Sequence, residues 1–407
     1  MRPERARIVV IGAGQAGAAL VAKLRALGHT GPLTLIGAEP DPPYQRPPLS
    51  KDYLKGDMAR ERLYLRPARY YAEADIELLS STRAGGIDRA AHEVVLEDGR
   101  RLPFDMLALT TGAVPHRLSE EAGGRLAGVH LMRSLADADA LSGALEPGSR
   151  AIVLGGGYIG LEGAAVLREK GLEVTLVEAA PRSLSRVAAP ATADYFRDLH
   201  RAHGVSLREG AGLARLLGSE GRIMAAMLPN GTELPADLAL IGIGIRPDTA
   251  LAEAAGLVCE DGIRVDALCR TSDPAIFAAG DCASFPFADR WIRLESVPNA
   301  IDQAEAAAAA MLGDPTPYAA RPWFWSDQYD VKLQIAGLHE GYDHTVSRPG
   351  ARPGSLSVWY YSGPRLVAVD AMNDPRAYMI GRRWIEAGLS PEPTRLSDPA
   401  TDLKALA

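Results

Sequence analysis

Two short apolar runs, each followed at once by a cluster of glycines, stand out along the chain. They are "RIVVI" at 7–11 and "RAIVL" at 150–154, and each leads through the glycines into a stretch with helical spacing of apolar residues. A second apolar run follows each, at 33–36 and at 173–178. Each arrangement predicts a strand, a glycine turn, a helix and a second strand, so the chain is predicted to have an α/β fold.

The last quarter of the chain has a different pattern. "KLQIAGL", "SLSVWYY" and "RLVAVDAM" alternate as strands do, "GPR" predicts a hairpin turn, and "MIGRRWIEAG" predicts a helix. The proline-rich stretch 313–322 predicts a linker before this region. We therefore expect a small C-terminal α+β domain.

Length and composition exclude several classes of protein. The 407 residues fit roughly two to four domains, and a formal net charge of −7 argues against a general nucleic-acid binder. No stretch is long and apolar enough for a membrane span, and "MRPERARIVV" enters a strand without a signal core, so a cytoplasmic location without a membrane partner is predicted. The three cysteines form no C-x-x-C and have no metal-ligand spacing, so no metal site is predicted.

The spacing of the glycines adds chemistry to this pattern. G-x-G-x-x-G between a strand and a helix is typical of dinucleotide sites, because the glycines permit a sharp turn, close approach of the backbone to a pyrophosphate and tight packing of the helix. Glu39 and Glu178 follow where a carboxylate could hold a ribose. Glu178 would repel the additional phosphate of NADPH, which favours NADH. Arg182 and Arg186 lie just beyond, and each is either a phosphate ligand or a solvated charge.

Two dinucleotide sites in one chain are explained if one holds a flavin and the other a visiting nicotinamide. In "TSDPAIFAAGDCASF", at 271–285, an apolar strand breaks at Gly280-Asp281. In flavoproteins with two dinucleotides, such an aspartate binds the ribityl chain and the flavin phosphate. "LALTTGAVP", at 107–115, is a strand that ends at Thr111-Gly112, where the chain would leave the flavin domain. The residues predict FAD at the first site and NADH at the second.

Longer segments resemble a known family. These are "PYQRPPLSKDYL", "GGGYIGLE", "FAAGDCA", "RWIRLESVPNAIDQA" and "PWFWSDQYDVKLQIAGL", and the resemblance to FAD-dependent, NADH-oxidising ferredoxin reductases covers nearly the whole chain. It is strongest to the reductases of bacterial haem-thiolate monooxygenase systems, the putidaredoxin reductase type. The resemblance implies hydride transfer from NADH to tightly bound FAD, then two single-electron transfers to a two-iron ferredoxin. That ferredoxin would feed a monooxygenase or a ring-hydroxylating oxygenase.

The same resemblance implies roles for individual residues. Arg46 would face the FAD pyrophosphate, and Lys51 would approach the hydride-accepting nitrogen of the flavin with Glu162 as its ion-pair partner. Tyr158 would shield the flavin face and yield to nicotinamide, and Trp325 would lie over the flavin edge where the iron–sulfur partner docks.

The complete set of implied site residues is larger. The FAD residues are Gly12, Gly14, Ala16, Gly17, Glu39, Arg46, Lys51, Ala84, Thr111, Gly112, Arg133, Gly280, Asp281, Val297 and Trp325. The NAD residues are Gly155, Gly157, Tyr158, Ile159, Gly160, Glu178, Arg186 and Gly244. The catalytic pair is Lys51 and Glu162, and the arginines proposed for docking an acidic ferredoxin are Arg66, Arg69, Arg290, Arg293, Arg382 and Arg383.

Glu39 and Trp323 differ from the other implied residues. Relatives usually carry an acid immediately after the glycine that ends the second strand, whereas this chain has Gly37-Ala38-Glu39, so either Glu39 or a water holds the adenosine ribose of FAD. Trp323 is expected to point away from Trp325 and to belong to the core.

The order of the motifs predicts that one domain is inserted in another. The FAD domain would comprise 1–111 and 245–313, the NAD domain 112–244 and the C-terminal domain 314–407. Two alternatives within this fold stay open: an NADH oxidase or diaphorase that reduces oxygen or quinone, and a redox-sensing flavoprotein like apoptosis-inducing factor. A disulfide reductase is disfavoured, because the chain lacks the cysteine pair that such enzymes need beside the flavin.

Overall fold

The computed structural model describes residues 2–406 of the chain. These residues form two units, each made of three segments. The first unit comprises Met1–Gln45, Ala59–Val114 and Arg246–Pro322. The second unit comprises Arg46–Met58, Pro115–Ile245 and Trp323–Ala407.

The first unit is built on a five-stranded parallel sheet. Its strands, in spatial order, are Ile276–Ala278, Met106–Leu109, Ile8–Ile11, Leu33–Ile36 and Glu77–Leu79. Every residue of Ile8–Ile11 is buried, as expected for a central strand of a parallel sheet with both faces covered. The helices Gln15–Ala26 and Val297–Met311 cover one face, and the many alanines of the second helix let the two approach closely.

The remaining elements of the first unit are short. A three-stranded antiparallel sheet consists of Ala84–Asp88, Glu93–Leu96 and Arg101–Pro103. A second small sheet consists of Ile263–Arg264, Ala283–Phe287 and Arg290–Ile292. The helices are Ala68–Glu73 and Ala250–Ala254, with 3₁₀ turns at Pro3–Arg5 and Arg60–Arg62. Residues 313–322 are all described and contain neither helix nor strand.

The second unit has its own five-stranded parallel sheet. In spatial order the strands are Ser206–Glu209, Glu173–Glu178, Arg150–Leu154, Leu238–Ile241 and Val129–His130. A three-stranded antiparallel sheet follows, formed by Arg215–Ser219, Arg222–Met227 and Glu233–Pro235. The helices of this part are Asp52–Lys55, Leu135–Ser142, Tyr158–Glu169 and Pro190–Ala202, with a 3₁₀ turn at Pro47–Ser50. The short strands Ala113–Pro115 and Ile245–Pro247 lie where the chain passes between the units.

The C-terminal part of the second unit is a five-stranded antiparallel sheet. In spatial order its strands are Trp323–Gln328, Val331–Gly337, Arg365–Met372, Leu356–Ser362 and His344–Pro349. The helix Pro375–Ala387 packs on this sheet, and Gly381 permits the close approach, since a Cβ there would lie 2.6 Å from Cγ1 of Val369. The helix Pro393–Ser397 and the 3₁₀ turn Leu403–Ala405 complete the chain.

The fold class predicted from the sequence is confirmed, because two parallel sheets and one α+β region are present. Strands Trp323–Gln328 and His344–Pro349 were not predicted by alternation. The first contains aromatic residues on both faces, and the second is a largely polar edge strand, so neither gives a clear period of two. The division into three domains stays a prediction. Among the described helices, none has the length and apolar character required to cross a bilayer.

A buried acid joins the C-terminal sheet to the helix Pro190–Ala202. Asp370 is 2% exposed and accepts hydrogen bonds from the hydroxyl of Thr192, at 2.7 Å, and from the hydroxyl of Tyr360. The Tyr360 oxygen in turn accepts from the backbone N–H of Ala189 at 2.9 Å. Burial raises the pKa of Asp370 from 3.8 to about 6, because desolvation penalises the charged form more than the two hydroxyl donors stabilise it.

We expect this acid to make stability depend on pH. A carboxyl whose pKa is raised by folding stabilises the native state fully below its unfolded pKa, near 4, and this contribution is lost as pH rises through about 6. Between roughly pH 4 and pH 7.5, the free energy of unfolding of the wild type should therefore fall by about 2–3 kcal/mol relative to that of Asp370→Asn. Urea unfolding of both proteins across this range measures the difference, and groups common to both cancel. Parallel stability profiles would contradict the prediction.

Candidate functional site

The first glycine fingerprint has the geometry of a phosphate-binding turn. Gly12 has a φ of +112°, and a Cβ there would lie 2.2 Å from the Thr110 carbonyl oxygen. Gly17 sits under the helix, where a Cβ would lie 2.0 Å from the Gly12 carbonyl oxygen. Gly14 differs, because a Cβ there would meet no described atom within 4 Å beyond its chain neighbours. Packing therefore demands glycine at Gly12 and Gly17, whereas Gly14 leaves open space in front of the helix.

The second fingerprint repeats these three roles. A Cβ on Gly155, which has a φ of +99°, would lie 2.3 Å from the Gly242 oxygen, and one on Gly160 would lie 2.0 Å from the Gly155 oxygen. Gly157 again faces open space. In the described structure neither following helix has a side-chain cap or an acid in its first turn, so the N–H groups of those first turns are not capped by a side chain. Both turns thus fit a dinucleotide pyrophosphate.

Glu178 is fixed at the end of its strand by backbone donors. The N–H of Gly156 donates to its Oε2 at 2.5 Å, and the N–H of Ala180 donates to its Oε1 at 2.6 Å. Each carboxylate oxygen keeps further lone pairs, so a held carboxylate beside the glycine turn can still accept ribose hydroxyls. Arg182 donates to the Ala188 carbonyl oxygen at 2.9 Å, so this guanidinium is hydrogen-bonded within the segment that follows Glu178.

Other predicted NAD residues lie around the same turn. Arg186 and Gly244 are neighbours, since the Arg186 Nη2 would be 3.7 Å from a Cβ on Gly244. Tyr158 begins the helix Tyr158–Glu169 and packs against Phe324, with ring centroids 4.8 Å apart. Its hydroxyl donates to the Val187 carbonyl oxygen at 3.3 Å.

Two apolar side chains beside this turn remain exposed. Ile159 is 43% exposed on the first turn of the helix, and Ile243, next to Gly244, is 38% exposed. Ile159 was among the predicted residues, and Ile243 was not. A single apolar residue after a strand gives no signal in sequence that distinguishes ligand contact from core packing.

The predicted catalytic pair is brought together in the second unit. The Lys51 Nζ lies 2.7 Å from the Glu162 Oε2, and the two side chains are 14% and 2% exposed. Glu162 also accepts from the Ser50 hydroxyl at 2.7 Å and from the Ser326 hydroxyl at 2.8 Å. A buried carboxylate is thus balanced by one ammonium group and two hydroxyl donors. Ser50 and Ser326 were missed by sequence reasoning, because a serine in a loop or strand carries no signal of its partner.

Arg46 and Arg133 also meet in the second unit. The Arg46 Nη1 donates to the Arg133 carbonyl oxygen at 2.6 Å, and the Arg133 N–H lies 3.2 Å from the Asp137 carboxylate. Arg46 precedes the 3₁₀ turn Pro47–Ser50, in which the two prolines restrict the backbone.

The predicted FAD residues of the first unit cluster around its glycine turn. Gly280 has a φ of +85°, and a Cβ there would lie 3.1 Å from the Cβ of Ala16. The carbonyl oxygen of Asp281 accepts from Arg293 at 3.3 Å. The Thr111 hydroxyl donates to the Asp248 carbonyl oxygen at 2.6 Å, and the next residue, Gly112, has a φ of +73°.

Three further predicted FAD residues lie at the ends of loops and elements. The Glu39 carboxylate accepts from the Tyr44 hydroxyl at 2.5 Å and is half-buried. Ala84 begins the strand Ala84–Asp88, and Val297 begins the helix Val297–Met311. Both side chains are half-buried.

The expected orientation of Trp323 is wrong. Trp323 and Trp325 belong to the same strand, and side chains two residues apart on a strand point to the same face. Their ring centroids are 5.6 Å apart. The expected core contact of Trp323 is confirmed, since it is partly buried against the hydrophobic cluster of the C-terminal sheet.

The six arginines predicted to dock a partner differ in their surroundings. In the first unit Arg66, Arg69 and Arg290 are exposed, but the Arg293 side chain is 11% exposed and pairs with Asp261 and Glu295. In the second unit Arg383 is exposed, whereas Arg382 is half-buried. The Arg382 guanidinium pairs with Glu386 at 2.9 Å and lies 5.6 Å from the Trp323 ring centroid.

The cysteines have the surroundings of packing residues. Cys269 and Cys282 are buried, Cys259 is half-buried, and all three are reduced. Burial raises the pKa of Cys269 to about 12, which keeps this thiol protonated. Within residues 2–406, no three His, Cys, Asp or Glu side chains are grouped so that they could hold a metal ion.

Comparison with known proteins places this geometry in a family. The family model described as pyridine nucleotide-disulphide oxidoreductase matches residues 6–304, and the model described as reductase C-terminal matches residues 323–407. The chain is 42% identical over 399 residues to rhodocoxin reductase of Rhodococcus erythropolis, which covers 98% of this chain and 93% of that protein. It is 40% identical over 405 residues to putidaredoxin reductase CamA of Pseudomonas putida, covering 98% and 96%.

A solved structure gives the same result. The crystal structure of the covalent putidaredoxin reductase–putidaredoxin complex matches with a TM-score of 0.95 and 41% identity, over 98% of each chain. The chain belongs to the pyridine nucleotide-disulphide oxidoreductase family and, within it, to the ferredoxin reductases of the putidaredoxin reductase type.

Proposed function

We propose that this protein is a cytoplasmic, FAD-dependent NADH:ferredoxin oxidoreductase. It takes a hydride from NADH onto tightly bound FAD and passes the electrons singly to a two-iron ferredoxin. That ferredoxin would serve a haem-thiolate monooxygenase or another oxygenase. The observation that carries the proposal is the similarity over 98% of the chain to rhodocoxin reductase and putidaredoxin reductase, whose names give their redox partners.

The two glycine turns support a separate dinucleotide in each parallel sheet. We assign FAD to the first unit's turn and NADH to the second unit's turn, with the remaining cofactor contacts as the resemblance implies. A flavin, when bound, accepts an electron pair and releases electrons one at a time. The open space at Gly14 and Gly157 lets the backbone N–H groups at each helix start bind the pyrophosphate. Glu178 then orients the adenosine ribose of NADH and disfavours a 2′-phosphate.

The Lys51–Glu162 pair is proposed to act in the reductive half-reaction. The Lys51 ammonium group supplies positive charge where negative charge develops during hydride transfer. Glu162 orients that ammonium group, since the two groups are 2.7 Å apart and little exposed to solvent. Tyr158 would cover the flavin face until nicotinamide replaces it.

Turnover with different acceptors tests the proposed function. NADH oxidation should be faster with a suitable two-iron ferredoxin than with oxygen or a quinone. A panel of purified two-iron ferredoxins, each present at equal concentration, provides the comparison. If oxygen or quinone is reduced faster than every ferredoxin in a broad panel, the oxidase or diaphorase alternative is favoured.

The first prediction concerns nucleotide preference. The wild type should prefer NADH, and Glu178→Gln combined with Ala179→Arg should shift the ratio of kcat/KM toward NADPH by about tenfold or more. The change removes one negative charge near the 2′-phosphate and adds a positive one. Glu173→Gln, at the exposed start of the same strand, is the control. A wild type that uses NADPH as well as NADH would refute the role of Glu178.

The second prediction concerns Lys51. Lys51→Met should slow flavin reduction by NADH about tenfold or more while changing NADH binding much less, because the charge matters most in the transition state. Stopped-flow absorbance at saturating NADH measures the rate. The matched control is Lys55→Met, since Lys55 pairs with Glu169 at 2.7 Å and ends the short helix Asp52–Lys55 that begins directly after Lys51. Reduction of the Lys51 variant at the wild-type rate, with FAD retained, would remove Lys51 from the mechanism.

The third prediction concerns the partner. A protein of net charge −7 repels an acidic ferredoxin unless local arginines attract it, so reduction of ferredoxin should slow severalfold as salt rises. Charge reversal at Arg290, Arg382 and Arg383 should weaken the salt dependence. Arg125→Glu is the control, because this side chain is 80% exposed but was not assigned to docking. Ferricyanide reduction monitors the hydride step. Indifference to salt and to all three reversals would exclude electrostatic docking.

A further inference from the structure

Glu162 lies at one end of a buried chain of hydrogen bonds that extends beyond the Lys51 pair. The Ser326 hydroxyl donates to the Glu162 Oε1 at 2.8 Å. The side-chain amide of Gln328 donates to the Ser326 oxygen at 3.2 Å, and the His200 Nε2 lies 2.9 Å from the Gln328 Oε1. Ser326, Gln328 and His200 are each fully buried. The chain thus links three elements of the second unit: the helix of Glu162, the strand Trp323–Gln328 and the helix Pro190–Ala202.

The donors in this chain all point toward Glu162. Gln328 accepts at Oε1 from the Nε2–H of His200, so its NH₂ group faces Ser326. Ser326 accepts from that NH₂ group, which leaves its single hydroxyl hydrogen for Glu162. The opposite amide orientation would place two acceptors, or two donors, against each other.

The state of His200 fits this direction. Because the Gln328 Oε1 can only accept, the hydrogen on this side of His200 lies on Nε2, and the Tyr329 hydroxyl, 3.4 Å from Nδ1, can donate to the other ring nitrogen. Burial lowers the pKa of His200 to about 4, so the ring is neutral near pH 7. A neutral ring with its hydrogen on Nε2 is compatible with the amide orientation that the Ser326–Glu162 hydrogen bond requires.

We propose that Ser326, Gln328 and His200 are positioning residues for the Lys51–Glu162 pair. They hold the Glu162 carboxylate by an oxygen other than the one that binds Lys51, and so fix the place of the Lys51 ammonium group during hydride transfer. The inference rests on the proposed catalytic role of Lys51 and extends it to three residues that would not touch the cofactor or NADH.

The arrangement on Glu162 explains why the hydroxyl of Ser326 matters. Lys51 and Ser50 both donate to Oε2, and Ser326 donates to the other oxygen, Oε1. Without a donor on Oε1, the carboxylate can rotate and its buried oxygen is left unsatisfied, which is costly in a low-dielectric site. The Lys51 ammonium group, which is bound to this carboxylate, would then be displaced.

Two variants test the chain with little change in shape. Ser326→Ala removes the donor to Glu162. Gln328→Glu keeps the acceptor for His200 but turns the group that faces Ser326 from a donor into an acceptor, which draws the Ser326 hydroxyl away from Glu162. Ser357→Ala is the matched control, because Ser357 is also fully buried in a strand of the same sheet but bonds to Arg348 and Trp359 instead.

Stopped-flow reduction of the FAD-loaded proteins by NADH is the measurement. Ser326→Ala and Gln328→Glu should each lower the limiting rate about threefold to tenfold, with the NADH concentration for half-maximal rate changed less than about twofold. For Ser357→Ala, the limiting rate and the NADH concentration for half-maximal rate should each stay within about 1.5-fold of the wild-type value. FAD content and the visible flavin spectrum report whether each variant folds, and if one variant fails to bind FAD the other carries the test.

A double-mutant cycle separates positioning from a general packing effect. If Ser326 acts through Lys51, Ser326→Ala should have almost no effect on the limiting rate in a Lys51→Met background. Equal slowing in both backgrounds overturns the proposal, and so does a wild-type rate for both Ser326→Ala and Gln328→Glu when Lys51→Met is slow. A wild-type rate for Lys51→Met alone instead refutes the proposed role of Lys51, and the positioning proposal with it.

Discussion

The arrangement of the second unit depends on how the charge of one buried carboxylate is balanced. Glu162 is 2% exposed, and an isolated carboxylate in such a place would be strongly destabilising. Its donors come from the turn that carries Ser50 and Lys51 and from the strand that carries Ser326. Because each donor must meet a fixed oxygen, the helix Tyr158–Glu169, that turn and that strand are held in one relation to each other. Removing any one donor leaves the others facing an incompletely balanced charge.

The two buried acids of this unit illustrate different solutions to the same problem. Glu162 has an ammonium partner at 2.7 Å and two hydroxyl donors. Asp370 accepts from the hydroxyls of Thr192 and Tyr360, and burial raises its pKa to about 6. The first arrangement suits a site where a fixed charge is needed. The second suits a structural link between the helix Pro190–Ala202 and the C-terminal sheet, where hydroxyl donors align two elements without requiring a permanent charge.

The two glycine turns show one local solution used in two sheets. In each turn the first glycine has a positive φ and lies against a carbonyl oxygen of a neighbouring strand's end, and the third glycine lies under the first turn of the helix. The middle glycine is required by neither contact. Its open surroundings are what a ligand phosphate needs, so the geometry fits two dinucleotides rather than two helices packed for stability alone. This agrees with the family membership and with the proposal that one cofactor stays bound while the other exchanges.

The local chemistry of this protein follows from its sequence, because apolar runs, glycine spacing and turn residues act over short distances along the chain. The two βαβ units, the Gly280 turn and the C-terminal helix were predicted on that basis, and the resemblance supplied the pairing of Lys51 with Glu162. Only the tertiary structure decided that Ser326, Gln328 and His200 extend this pair and that Thr192 and Tyr360 meet Asp370. Those partners are more than 100 residues apart along the chain in several cases, as for Ser326 and Glu162. A serine or a histidine has the same local propensity whether its partner is water or a buried acid, so such contacts are set by packing between distant segments and leave no pattern in the sequence.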